Sequence, residues 1–194
     1  MRAAVLAALL ALPLAACGGS SSISTTSGKK AAQPDPRLLL PRPQPRGNAL
    51  LYKIFDRLLA YSGETLASEH EMLAGASNGQ RAVYALWIVD GEVNNGGFDQ
   101  FFFNSSGSLM DEAIEGADLI GAKKNAAILR EAADTFSDGS VPEDRESRWR
   151  IQDALSDDEQ SQLSDLDDRW FGEDKNLEKL LIGYVESHPD EFLR

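Results

Sequence analysis

Glu92 stands three residues ahead of Asn95-Gly96-Gly97, and Gln100 and Asn104 follow shortly after. A carboxylate beside a Gly-Gly turn and a cluster of amides is a constellation an enzyme can use, and it requires a concave polar pocket around the acid. The same side chains can instead satisfy backbone groups left open by sharp turns, and that structural role is the expected one.

Other chemistry-bearing patterns are weaker. Gly75-Ala76-Ser77-Asn78-Gly79 has the spacing of a hydrolase nucleophile elbow, but that motif needs a preceding strand and a later triad histidine. Here it falls between helices. Asp167 to Glu178 has the length of an EF-hand loop, yet Arg169 and Phe171 occupy positions where oxygen ligands are required. His70 and His188 are the only histidines and form no paired ligand pattern. No catalytic residue, metal site or cofactor is assigned.

The elements that must position these residues read as helices almost throughout. From Asn48, read as a cap, Leu51, Ile54, Phe55, Leu58 and Leu59 recur at helical spacing. A shorter helix follows, and then QRAVYALWIVDGE, apolar nearly all round, takes the centre of a bundle. Ser108 with Asp111, Ser140 with Glu143 and Ser156 with Glu159 have the spacing of capping boxes. KKNAAILREAADTF predicts another helix and NLEKLLIGYVES the last strong one. No strand pattern is evident, so the fold class is all-α, a single compact domain of about seven to nine helices.

Within this frame Asn94 to Gly97 can end the central helix sharply, because Asn and Gly tolerate positive φ. Phe98, Phe101 and Phe102 then define one face of a short helix, and Asn104 to Gly107 makes the next turn. The segment EVNNGGFDQFFFNSSG, followed by an Ala-rich amphipathic helix, resembles the C-terminal domain family of the acidic DNA-mimic proteins. Glu92, Asn95, Gly96, Gly97, Phe98, Gln100, Phe101, Phe102 and Asn104 carry the likeness. The resemblance implies a helical acidic domain, often a homodimer, whose founding example offers carboxylates in place of DNA phosphates to a DNA-binding protein.

The rest of the chain argues about location. An apolar run at 3–16 ends in Leu14-Ala15-Ala16-Cys17, which resembles the lipobox of bacterial lipoproteins. This divides the chain into a signal peptide at 1–16, a lipidated Cys17 heading a Ser/Gly/Pro-rich tether to residue 47, and an acidic domain at 48–194. Gly18 after the cysteine favours, by the same resemblance, the periplasmic side of the outer membrane in a two-membrane envelope. Residues 1–47 hold six Lys/Arg and one Asp, whereas the chain as a whole carries −12. The domain is therefore strongly acidic and should repel nucleic acid while attracting basic partners.

The densest acidic stretch, 153–174, holds nine acids and one base. Asp157, Asp158, Glu159, Asp165, Asp167, Asp168, Glu173 and Asp174 are the expected partner-binding surface, with Asp158, Asp165 and Asp168 outermost. An exported protein meets no chromosomal DNA-binding protein, so the expected partner is a basic protein of the cell envelope and not nucleic acid. The sequence leaves self-association open.

Overall fold

The computed structural model describes residues 34–136 and 139–194. The expected signal peptide, Cys17 and the first part of the tether lie outside the described residues. Among the described residues there are seven α-helices: α1 Asn48–Ser62, α2 Leu66–Gly75, α3 Asn78–Phe103, α4 Met110–Leu119, α5 Lys123–Ala133, α6 Arg145–Gln152 and α7 Asp157–Ser187. Short 3-10 turns occur at Ser105–Leu109 and Pro189–Glu191, and no strand longer than a single bridge occurs among the described residues.

The apolar sequence of α3 makes it the axis of the bundle. Val83, Leu86, Val89 and Val93 are wholly buried, each contributing about 1.5–3 kcal/mol of transfer free energy, and α1, α4, α6 and α7 all pack on this helix. The acidic run from Asp157 onward and the segment 176–187 form one helix of 31 residues. Gly172 does not break it, because Leu163, Leu166, Trp170, Leu177, Leu181 and Val185 form a single buried stripe on both sides of the glycine.

Helix starts differ from the expectation in instructive ways. Ser156 and Glu159 do form a capping box. Ser108 instead donates to the Ser105 carbonyl inside a 3-10 turn, and α6 is capped by Asp144, which accepts from the Ser147 amide. Thr65 with Ser68 and Ser77 with Gln80 form two further boxes. Asn48 caps nothing; its amide donates to Glu178 Oε1 at 2.8 Å.

The expected boundary at Asn48 lies too late. Leu38 is buried in the core, its carbonyl accepts from buried Gln80, and Leu40 pairs with Leu193 in a parallel bridge. Residues 35–47 form a strap on the domain, tied to the C-terminal end of α7 by the Gly47 amide on Glu186 Oε1 at 3.0 Å.

Candidate functional site

Between Asn94 and Asn104 helix α3 breaks and restarts. Gly96 and Gly97 leave helical geometry, and Gly97 has φ 75°, a conformation that L side chains adopt only with strain. A Cβ there would also lie 2.3 Å from Asp167 Oδ2. The restarted helix has open amides at its N-terminus, and Asp167 of α7 fills the capping role by accepting from the Phe98 amide at 2.7 Å. Burial pushes the Asp167 carboxyl up, a shift the Phe98 hydrogen bond only partly offsets.

Phe98, Phe101 and Phe102 are fully buried, as their spacing predicts. Phe98 meets Trp170 edge-on with centroids 5.8 Å apart, and Phe102 meets Phe136 in the same way at 4.7 Å. Aromatic pairs of this geometry add about 0.5–1.5 kcal/mol beyond area burial.

The other end of this short helix is held by α6. Buried Arg148 donates from Nε to the Phe102 carbonyl at 3.0 Å, from Nη2 to Asn104 at 2.7 Å, and from Nη1 to Pro142 and Glu143 at 2.7 and 2.6 Å. Arg145 Nε and Trp149 Nε1 both donate to the Phe103 carbonyl at 2.7 Å. A guanidinium fan at a helix C-terminus satisfies the last carbonyls and complements the negative end of the dipole. Burial lowers the Arg148 pKa to about 10. Gly107 makes room for it, since a Cβ there would sit 2.6 Å from Arg148 Nε.

Glu92 belongs to this construction. Its buried carboxylate accepts from Gln100 Nε2 at 2.7 Å, Asn104 Nδ2 at 2.9 Å and Ser106 Oγ at 3.0 Å, while Gln100 Oε1 accepts from Asn95 Nδ2 at 2.9 Å. The amides were expected to satisfy exposed backbone. Asn94 does so, its Nδ2 donating to the Asp90 carbonyl at 2.8 Å, whereas Asn95, Gln100 and Asn104 satisfy one another and Glu92, and the rest of the backbone at the breaks is served by Asp167, Arg145, Arg148 and Trp149. The network spans the kink, joining the helix before it to the helix and turn after it.

Two surface cavities, of about 110 and 170 Å³, are lined by residues of α3 and α4 and by residues of the strap, α1 and α2. Neither reaches Glu92. Ser77 caps α3 and is buried there, and Asp167 to Glu178 is continuous helix, so neither set-aside motif has the loop its chemistry needs. No group of three or more His, Cys, Asp or Glu is placed to hold a metal among the described residues.

The eight acids of the expected partner surface separate into two groups. Asp157, Asp158, Asp165 and Asp168 are exposed and make no ion pair among the described residues. Asp158 and Asp165 are seven residues apart, two turns along one strip, and Asp165 and Asp168 are neighbours on the helix surface. The remaining four are engaged or partly buried: Asp167 caps the motif helix, Glu159 closes the capping box with Ser156, Glu173 pairs with Lys124 at 2.6 Å, and Asp174 is half-buried. The sequence reading also passed over Arg148, a charged residue in a helix with almost no apolar stripe.

A family model described as DMP19-like protein matches residues 74–188, from the end of α2 to the end of α7. No curated protein and no solved structure matches the chain.

Proposed function

The chain belongs to the DMP19-like protein family, and from that premise we propose that it is an acidic helical binding module that engages a basic protein. The observation that carries the proposal is the exposed row Asp157, Asp158, Asp165 and Asp168 on a helix rigidly packed to the core. Carboxylates held on a rigid element lose little entropy when a row of lysines or arginines docks on them. Structural roles account for Glu92 and the rest of the family motif, so binding and not catalysis is the function proposed. The lipobox resemblance at Cys17 adds that the module is tethered to a membrane and meets its partner in the cell envelope.

Salt-gradient elution of envelope proteins from the immobilised chain tests this reading. Sharp elution of one basic protein at intermediate salt supports it; uniform loss of all bound protein at the lowest salt counts against it.

A further inference from the structure

We propose that Asn95 is a site of self-modification, where the side chain closes on the Gly96 nitrogen and is converted by water to aspartate and isoaspartate. Asn78, in the only other Asn-Gly pair of the chain, is protected from the same reaction by Glu191.

The step needs no reagent but water. The Gly96 nitrogen attacks the Asn95 side-chain carbonyl carbon, the bond from that carbon to Nδ2 breaks, and the Gly96 amide proton leaves with Nδ2 as ammonia. Water then opens the resulting cyclic imide at one carbonyl or the other. A glycine after the asparagine favours ring closure because it brings no Cβ to obstruct the attack. The peptide between the two residues must also turn away from helical geometry to bring the atoms together.

The fold treats the two pairs differently. Gly79 is buried in the first turn of α3, and its amide donates to Glu191 Oε2 at 2.7 Å. A Cβ at Gly79 would lie 2.7 Å from the Tyr184 ring and 2.8 Å from the Phe192 ring, so this peptide is held by a carboxylate and packed under aromatic side chains. Asn95 and Gly96 are exposed. Gly96 has left helical geometry, with φ −160° and ψ 25°, and turning a peptide at an exposed break disturbs little packing. The Asn95 side chain is held through Nδ2 on Gln100. Neighbouring Asn94 precedes a residue with a Cβ and is held twice, on the Asp90 carbonyl and carboxylate at 2.8 and 3.1 Å.

Conversion falls inside the network that spans the kink. Gln100 Oε1 would face a carboxylate in place of the amide that now donates to it, on a side chain that also serves buried Glu92. Isoaspartate in addition carries the main chain through the side-chain carbon. It lengthens the backbone just ahead of Gly97 and of the Phe98 amide that Asp167 caps. The reaction therefore ages the fold at its kink and adds negative charge to an acidic domain.

The test incubates the full chain at mildly alkaline pH in heavy-oxygen water and follows conversion at each asparagine by peptide mass spectrometry, with the urea-unfolded chain alongside. Unfolded, the two Asn-Gly pairs are expected to convert at similar rates; folded, Asn95 is expected to convert severalfold faster than Asn78. Glu191→Ala, which frees the Gly79 amide, should raise conversion at Asn78 and leave Asn95 unchanged. A folded chain in which Asn78 keeps pace with Asn95, or in which Asn95 stays intact while the unfolded chain reacts, would overturn the proposal. A Glu191→Ala chain that folds like the parent by circular dichroism and leaves Asn78 unreactive would overturn the protection assigned to Glu191.

Discussion

Asp167 Oδ1 lies 2.7 Å from the Phe98 amide, joining residues 69 apart in sequence, and so one acid of the most acidic helix serves the fold. Asp167→Ala should destabilise the domain by about 1–2 kcal/mol, the loss expected for a helix cap. Asp167→Asn should lose less, because it keeps an acceptor. Gly97→Ala should lose more than either, since it strains φ and collides with the same carboxylate. Urea denaturation of the three variants gives the order directly.

Arg148 has no carboxylate within ion-pair distance among the described residues and is held by backbone carbonyls alone. Arg148→Met leaves those carbonyls unsatisfied and should cost about 3 kcal/mol or more. Arg148→Lys should recover little, because an ammonium cannot reproduce the planar fan of donors. A Lys variant as stable as the parent would contradict the capping role.

Glu92→Gln places an amide that brings its own donors among three existing donors. It should destabilise by about 1–3 kcal/mol, with basic-partner binding unchanged once the variant is folded. Binding lost in a variant whose thermal unfolding is unaltered would instead make Glu92 part of a recognition site.

Burial raises the pKa of Glu69 and Glu112, and for Asp167 burial is likewise the largest cause of an upward shift. A carboxyl whose folded pKa is raised binds more protons folded than unfolded. Its contribution is therefore fully present below the unfolded pKa and is lost as pH rises through the folded one. Melting temperature should accordingly fall between the ordinary carboxylate range and neutral pH. Glu69→Gln, which still accepts from the Tyr84 hydroxyl now 2.6 Å away, should make that fall shallower.

The aromatic face of the motif was legible because Phe98, Phe101 and Phe102 repeat at helical spacing, and the break was legible in Gly96-Gly97. What closes the motif was not. Asp167 and Asp168 are adjacent acids in a charged run, and only the packing of α7 on α3 distinguishes the one that caps from the one that faces water. Arg148 sits in RESRWRIQ, where burial of a guanidinium leaves no periodic trace. The strap was missed because its prolines read as tether, although the Leu38-Leu39-Leu40 trio between them was the signal of a buried contact. The Ser140 box lost to Asp144, whose carboxylate starts α6 one turn later.

The central claim is that the exposed α7 acids form a recognition surface and do more than supply charge for solubility. The decisive measurement compares retention of the captured basic protein by two variants of equal charge. One carries Asp157→Asn, Asp158→Asn, Asp165→Asn and Asp168→Asn; the other carries Asp56→Asn, Glu64→Gln, Asp111→Asn and Glu115→Gln, at positions that are also exposed. The account predicts that the α7 variant weakens binding by about tenfold or more, roughly 1.4 kcal/mol, while the second stays near the parent. Equal weakening by both, or none by either, would contradict it.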